Sequence, residues 1–543
     1  VKFLLIVDNS NKNLVILASV SAIILGFSFP PFPLGIIACF GFVPFFLLVE
    51  KIDSFTRFFR YSYCLFFLFT LIALYWVGGF THFRDPYLMI AGAALFFWQP
   101  LFFTIPASIY FWFSKNTQSQ YAVFFFPFLW VTFEWLYALG EFAFPWLSIG
   151  NTQTYNLEKI QYADITGVYG ISFWVLLLNA LVFLVVKNIQ QNVSKNTKYS
   201  LFGLILFLYV TPSIYSWVAK NSIAILDESR TVSIGIVQPN IDPWMKWEGM
   251  NTVSGRWHQI QSLLKLIREN INENTDIVVL PESAILLNLP VFNVEAEKTK
   301  KIIDSLNVVL ISGYAKVKYY EGDQAPSSSN VLKGSNIRYD SFNSILMMEP
   351  GSDLIQSYSK MRLVPFAERI PYADDVPYLI EPLRWGVGIS NWGKGTDSTL
   401  FFSRTLQTNF LSMVCYESVF PEFVASFVNK GAEFLIFITN DSWWGNTSGA
   451  RQHNQFAVLR AVENRRWIIR CANGGISSFI DPFGTMYDKT DMYEKAYIQR
   501  AITPFSNKTF YTIHGDIFAR ICAIITLLTF FISISYTIFR RKL

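Results

Sequence analysis

Eight runs of apolar residues, each close to the length needed to cross a bilayer, constrain this chain more than any other feature of its sequence. A spanning helix takes about 20 mostly apolar residues, with a lower limit of about 17. The runs cover 14–29, 34–49, 61–80, 87–113, 121–139, 168–186, 201–218 and 517–539, the first two being short. Pro30-Pro31-Phe32-Pro33 between the first two predicts a tight hairpin. Lys2 and Lys12 precede the first run as they would in a secretory signal. No small-residue cleavage site follows and the second run begins at once, so residues 1–29 are expected to form an uncleaved anchor.

Composition agrees with a membrane protein. The chain is 52% hydrophobic and only 15% charged, too apolar for an ordinary soluble protein of 543 residues. Basic residues sort by loop. With the N-terminus on the cytoplasmic side, twelve Lys and Arg, from Lys2 and Lys12 to Arg540, Arg541 and Lys542, fall in cytoplasmic segments, against Arg84 and Lys159 in the opposite short loops. This positive-inside bias puts both termini in the cytoplasm and everything between the seventh and eighth runs outside it. A net charge of +5 without a basic stripe makes nucleic acid an improbable partner.

The polar insert, 219–516, has a different character: charges are frequent and short β-rich runs alternate with helical spacing. Buried strands are predicted at 231–238, 276–280, 308–313, 344–348, 409–415, 433–439 and 467–472, dense in Val, Ile, Leu and Phe. Helices are predicted at 253–272 and 421–430, and a loop at 319–336. Four scattered histidines offer no zinc spacing, so neither a metal nor a cofactor is expected.

Cys39, Cys64 and Cys522 lie in apolar runs, which leaves Cys415 and Cys471 for chemistry. Cys415 ends a strand-like run and precedes a turn, the place where a sulfur reaches a sheet rim and the following amides face a developing oxyanion. Alone, it reads more readily as an inert core thiol or half of a disulfide with Cys471. Two other strand ends change that balance. Glu282 follows Leu280-Pro281, and Lys360 precedes Val364-Pro365-Phe366-Ala367-Glu368. A thiol with a pKa near 8.5 needs a base, for which Glu282 is the candidate, and an ammonium such as Lys360 suits an acyl oxyanion. Glu134, inside the fifth run, is expected to face the bundle interior or water rather than lipid.

Leu280-Pro281-Glu282-Ser283, Lys360 with Glu368, Cys415-Tyr416-Glu417 and Asn440-Asp441-Ser442-Trp443, in that order, resemble the carbon–nitrogen hydrolase (nitrilase) superfamily. Within it, the eight runs and the place of the insert resemble the apolipoprotein N-acyltransferases. The resemblance extends to Trp130 through Trp135, Val237 through Asn240, Trp247, Gln452-His453 and Asn473-Gly474-Gly475. Arg362, where a histidine is frequent, and Ala367, where a glycine is usual, depart from the pattern. The resemblance implies a polytopic domain of eight transmembrane helices, 1–218 and 517–543, joined to an α-β-β-α sandwich at 219–516. It implies Glu282 as base, Cys415 as nucleophile and Lys360 as oxyanion stabiliser, with Glu368, Glu417 and Tyr416 in support. Trp247, Trp443 and Asn440 would bind substrate. The implied reaction moves an acyl chain from a phospholipid donor, through a Cys415 thioester, to the α-amine of a diacylglyceryl-modified apolipoprotein, carried out by a monomer in a bacterial inner membrane. The rivals are a membrane-tethered nitrilase-type amidase using the same three residues, and a transporter with a sensory domain.

Overall fold

A computed structural model describes residues 10–79, 86–191, 193–222, 230–243, 252–285, 293–321, 324–332, 334–380 and 391–542. Among these, five helices are long and apolar enough to cross a membrane. They are Phe55–Leu74 (α3), Pro86–Thr117 (α4), Ala163–Gln190 (α6), Lys195–Ser222 (α7) and Ile517–Lys542 (α13). The other three apolar runs are helical but shorter. Asn11–Phe27 (α1) has 17 residues, the second run ends in Val43–Lys51 (α2) after a broken start, and Phe125–Tyr137 (α5) has 13. At 1.5 Å per residue, α5 rises only about 20 Å, against a hydrocarbon core of about 30 Å. Burial explains the tolerance for such short pieces: Phe45, Phe46, Leu47 and Leu48 of α2 are fully enclosed by protein. Backbone irregularity is permitted where protein, rather than lipid, surrounds it.

Helix α6 forms the centre of the bundle, whereas α7 and α13 lie outside and expose Phe202, Phe207, Trp217, Phe531 and Ile532. Glu134 of α5 faces inward. Its carboxylate accepts from Ile149 N (2.8 Å), Ser172 Oγ (2.6 Å) and Trp130 Nε1 (3.1 Å), which ties α5 to the 145–153 segment and to α6.

The insert folds as two stacked sheets. One is ordered β13-β1-β2-β3-β5-β4, with β6 also on β5; the other is β12-β11-β10-β9-β8-β7. The first uses Val232–Gln238 (β1), Ile277–Val279 (β2), Val309–Tyr320 (β3), Asn330–Val331 (β4), Arg338–Met348 (β5), Gln356–Ser359 (β6) and Ala496–Ile502 (β13). The second uses Phe401–Ser403 (β7), Thr408–Val414 (β8), Leu435–Thr439 (β9), Ile468–Ala472 (β10), Ser478–Ile480 (β11) and Met486–Tyr487 (β12). Alternation sorts side chains between faces. Ile277 and Val279 join the core between the sheets, while Val278 and Leu280 turn outward to Ile260, Leu264 and Ile303 of Val253–Asn270 (α8) and Asn293–Leu306 (α9). Pro421–Asn429 (α10) and Ser448–Asn464 (α11) cover the other sheet. This is the expected α-β-β-α order of layers. Cys471 lies between the sheets, its thiol 3.5 Å from the carbonyls of Val237 and Val279, and both it and Cys415 are free thiols.

Helix α11 joins the two halves, and all of its residues but Arg451 are buried. Gln452 is the clearest link. Its Oε1 accepts from Trp146 Nε1 (2.8 Å) and Trp76 Nε1 (3.1 Å), and its Nε2 donates to the carbonyls of Pro30 (2.9 Å) and Ala73 (3.0 Å). Gln455 donates to Thr154 O, and Glu463 accepts from Val168 N. Gln452→Leu keeps the volume and strands the buried Trp146 Nε1–H and the Pro30 carbonyl, each costing about 1–3 kcal/mol, while Trp76 Nε1 keeps its bond to Ala73 O (3.2 Å). The expected outcome is a clearly lower thermal unfolding midpoint for the detergent-solubilised protein, read by intrinsic tryptophan fluorescence.

Candidate active site

Three loops at one rim of the sandwich carry Glu282, Lys360 and Cys415. Pro281 ends β2 and turns the chain so that Glu282 leaves the sheet. Gly313 of β3 makes room for it, since a Cβ there would stand 2.3 Å from Ser283 N and 2.7 Å from Glu282 Cα. Lys360 follows β6 directly, its amide donating to Asn343 O of β5 (2.8 Å) and its carbonyl accepting from Gly395 N (2.8 Å). Cys415 follows β8 in a left-handed conformation, φ 52°, at the start of a 3-10 turn running to Val419.

Buried carboxylates hold this geometry. Lys360, 1% exposed, donates to Glu368 Oε1 at 2.8 Å. Asn343 Nδ2 donates to Glu282 Oε1 (2.6 Å) and to Glu368 Oε1 (3.2 Å), so one amide bridges the two glutamates. Glu368 Oε2 accepts from Val364 N (2.8 Å). Glu417 supports the Cys415 loop. Its carboxylate accepts from Val414 N (3.0 Å), Met361 N (2.7 Å) and Tyr358 OH (2.6 Å), which locks the Cys415 turn to the Lys360 loop.

The charges explain the division of labour. Burial pushes the Cys415 thiol well above its ordinary pKa; the Glu282 carboxylate adds to the rise and Lys360 opposes it. The resting sulfur is therefore a thiol and needs a base in the transition state. Burial disfavours the Lys360 ammonium, but Glu368, Cys415 and Glu282 more than offset this and hold it charged. Burial also raises Glu417 despite its hydrogen bonds.

An apolar groove of about 750 Å³ ends on this site. Leu88, Ala91, Leu95, Trp98 and Phe102 of α4 form one wall, Trp76, Trp146 and Trp444 another, and Val364–Ala367, Cys415, Tyr416 and His453 its end. Tyr416 donates to Ala143 O (2.8 Å), fixing the turn to the loop after α5. Across the mouth, Phe142 packs on Phe366 and Tyr372, while Glu141 accepts from Lys394 (2.8 Å) and Tyr372 N (2.6 Å).

The proposed binding residues fare differently. Trp444, rather than Trp443, lines the groove, its ring tilted against Trp76 with centres 4.6 Å apart. Trp443 is half-buried in the same turn. Asn440 is buried behind the site and accepts from Asn473 Nδ2 (3.2 Å). Trp247 lies outside the described residues. Asn343 and Tyr358 carry no sequence signal; each sits within a strand and gains its role only when the strands pair.

Cys415, Asp441 and His453 also cluster, with ligand atoms within 4.8 Å of one another. Asp441 is already engaged by Arg470 (2.6 Å), His453 Nδ1 (2.9 Å) and Thr439 Oγ1 (2.9 Å), so Arg470 supplies the cation there.

Comparison with known proteins agrees in both halves. The apolipoprotein N-acyltransferase N-terminal domain matches residues 21–181 and the carbon–nitrogen hydrolase domain matches 233–505. An apolipoprotein N-acyltransferase of Chlorobaculum tepidum is 34% identical over 92% of this chain and 93% of its own. The chain belongs to the apolipoprotein N-acyltransferase family. Family members from Geobacter metallireducens (28% identical, over 93% of this chain and 92% of that one) and Rickettsia prowazekii (29%, over 78% and 82%) are similar along most of their length. The assignment disfavours the sensory-transporter rival.

Removing the ammonium tests the site's electrostatics. Because the Lys360 charge lowers the Cys415 pKa, Lys360→Met raises it further, so iodoacetamide labelling of Cys415 is expected to shift to higher pH. Acyl transfer should fall by about 10²–10³, the usual loss for an oxyanion donor. Labelling that is unchanged at every pH would separate Lys360 from the thiol.

Proposed function

We propose that this chain moves an acyl chain from a membrane phospholipid to the α-amine of a lipid-modified N-terminal cysteine on an apolipoprotein, in two steps through Cys415. The observation that carries this reading is the groove: the nucleophile stands at the end of an apolar channel lined by α4, where an acyl chain arrives from the bilayer. An amidase for small soluble substrates has no use for such a channel.

In the first step Glu282 takes the thiol proton and sulfur attacks the ester carbonyl. The oxyanion meets Lys360 and the amide of Tyr416. Collapse breaks the ester C–O bond, and the proton held by Glu282 leaves on the lysophospholipid. In the second step the acceptor amine attacks the thioester, gives its proton to Glu282, and the C–S bond breaks to leave an amide and a restored thiol. Splitting the transfer lets two lipid-borne substrates use one channel in turn. Glu368 holds Lys360 in place, Glu417 and Tyr416 hold the nucleophile's turn, and Trp247 and Trp443 contribute to substrate binding. The thioester is shielded by the aromatic walls.

Around this site we place eight membrane-crossing segments in residues 1–218 and 517–543, with both termini cytoplasmic and the catalytic domain, 219–516, in the periplasm. This follows from the bias of twelve basic residues against two. The working form is a monomer in a bacterial inner membrane.

Incubation with a phospholipid bearing an alkyne-tagged acyl chain should leave the tag on Cys415 as a hydroxylamine-labile thioester, absent in Cys415→Ala. Equal labelling of the two proteins sinks the proposal. Ala91→Trp, which fills the groove, is expected to raise KM for long-chain donors about tenfold while alkylation of Cys415 by iodoacetamide is unaffected, since about 1.4 kcal/mol of lost burial is a factor of ten.

A further inference from the structure

The least explained groups near the nucleophile are His453 and Ser418. Both are buried, and neither belongs to the Glu282–Lys360–Cys415 set. His453 projects from α11 with Nδ1 2.9 Å from Asp441 Oδ1, and Arg470 holds the other oxygen of that carboxylate. Its Nε2 stands 3.0 Å from Ser418 Oγ and 3.2 Å from the carbonyl oxygen of Cys415. The Ser418 hydroxyl donates to that same carbonyl at 2.8 Å. Trp146 packs against the imidazole with ring centres 5.5 Å apart, so the ring is fixed from the membrane side as well.

The carbonyl of Cys415 belongs to the peptide whose other end is the amide of Tyr416. In a planar trans peptide the C=O and N–H point in opposite directions. Whatever anchors the oxygen therefore aims the hydrogen. The Tyr416 amide is the second of a 3-10 turn and has no acceptor within it. On the other side of Cys415 the Val414 amide is pinned by Glu417. With both flanking peptides tied down, the φ of 52° at Cys415 is imposed by its surroundings.

We propose that His453 and Ser418, gripping the Cys415 carbonyl from the α11 side, aim the Tyr416 amide at the acyl oxygen, so that His453 is a positioning residue for the oxyanion hole. Asp441, kept ionised by Arg470, requires a proton on Nδ1. A neutral ring presents only the Nε2 lone pair, which competes with the Cys415 carbonyl for the single Ser418 hydrogen, so the grip by both residues belongs to the charged ring, which burial disfavours and the Asp441 carboxylate favours. The same helix carries Gln452 one residue earlier, bonded to Trp76 and Trp146 in the groove wall. The oxyanion hole is thus referenced to the membrane bundle through two consecutive side chains.

This inference rests on Cys415 being the acyl-accepting nucleophile, and a paired measurement separates the two claims. Acylation by the alkyne-tagged phospholipid passes through an oxyanion; alkylation by iodoacetamide attacks the same sulfur without one. In full-length detergent-solubilised protein, His453→Ala is expected to slow acylation by about 10- to 100-fold, somewhat less than outright loss of an oxyanion donor, about 10²–10³. Alkylation should be unchanged. His453→Gln, which restores a donor near the carbonyl, should recover most of the rate. Ser418→Ala should show the same split and carries the test if His453→Ala does not fold. If acylation and alkylation fall together, His453 acts on the thiol and the inference is wrong. If neither falls, the grip has no catalytic consequence and the inference is equally wrong. A wild-type protein that is alkylated but never acylated overturns the acyltransferase reading instead.

Discussion

A helix enclosed on every side must find a partner for each polar group it carries, and α11 is such a helix. One side of it covers the second sheet; the other meets the membrane bundle. Gln452, Gln455, Arg460 and Glu463 are all buried, and each is bonded. Unpaired, each would cost about 1–3 kcal/mol, and more for the charged pair. The two halves of the molecule therefore dock in one register, since a small slip would break several of these bonds together. The position of the active site depends on that register, because His453 and the tryptophan wall belong to the same contact.

Docking in turn decides what the catalytic rim faces. The rim carries a buried ammonium among carboxylates, an arrangement that is stable only because Lys360 answers Glu368 and Asn343 bridges Glu368 to Glu282. On a free-standing sandwich such a rim would open to water. Here α4 and the loop after α5 stand across it and replace water with an apolar channel. Low polarity raises the resting thiol's pKa, which restrains its reactivity, and strengthens every electrostatic contact made once an acyl group is present. The enclosure that restrains the Cys415 thiol is the one that would strengthen its contacts with a bound acyl group.

Much of this was legible in the sequence, and the limits have physical reasons. All seven predicted strands exist, because each is a run of large apolar residues bounded by turns. The strands at 330–331, 356–359, 401–403, 478–480, 486–487 and 496–502 were not predicted, the first lying inside the stretch expected to be a loop; five are too short to show a period, and the last is half-exposed with mixed side chains. Hydropathy located all eight apolar segments, but two of them form helices shorter than a bilayer requires by length alone and a third, α1, only just reaches the limit. Hydropathy measures apolarity and cannot tell a helix facing lipid from one such as α2, enclosed by other protein. Trp443 and Trp444 are adjacent and chemically identical, and only the 3-10 turn decides which of them lines the groove.

By itself, then, the sequence determined the class of the molecule, the location of its polar domain between two apolar regions, and three reactive residue types at strand ends in a recognisable order. Those features are local: periodicity, turn chemistry and short motifs survive in one dimension. The convergence of Glu282, Lys360 and Cys415, the bridging by Asn343, the grip of His453 and Ser418 on the Cys415 peptide and the groove leading to the sulfur were decided only by tertiary structure. Most of these join residues tens to hundreds of positions apart, held where strand pairing and helix docking put them, which no local pattern encodes.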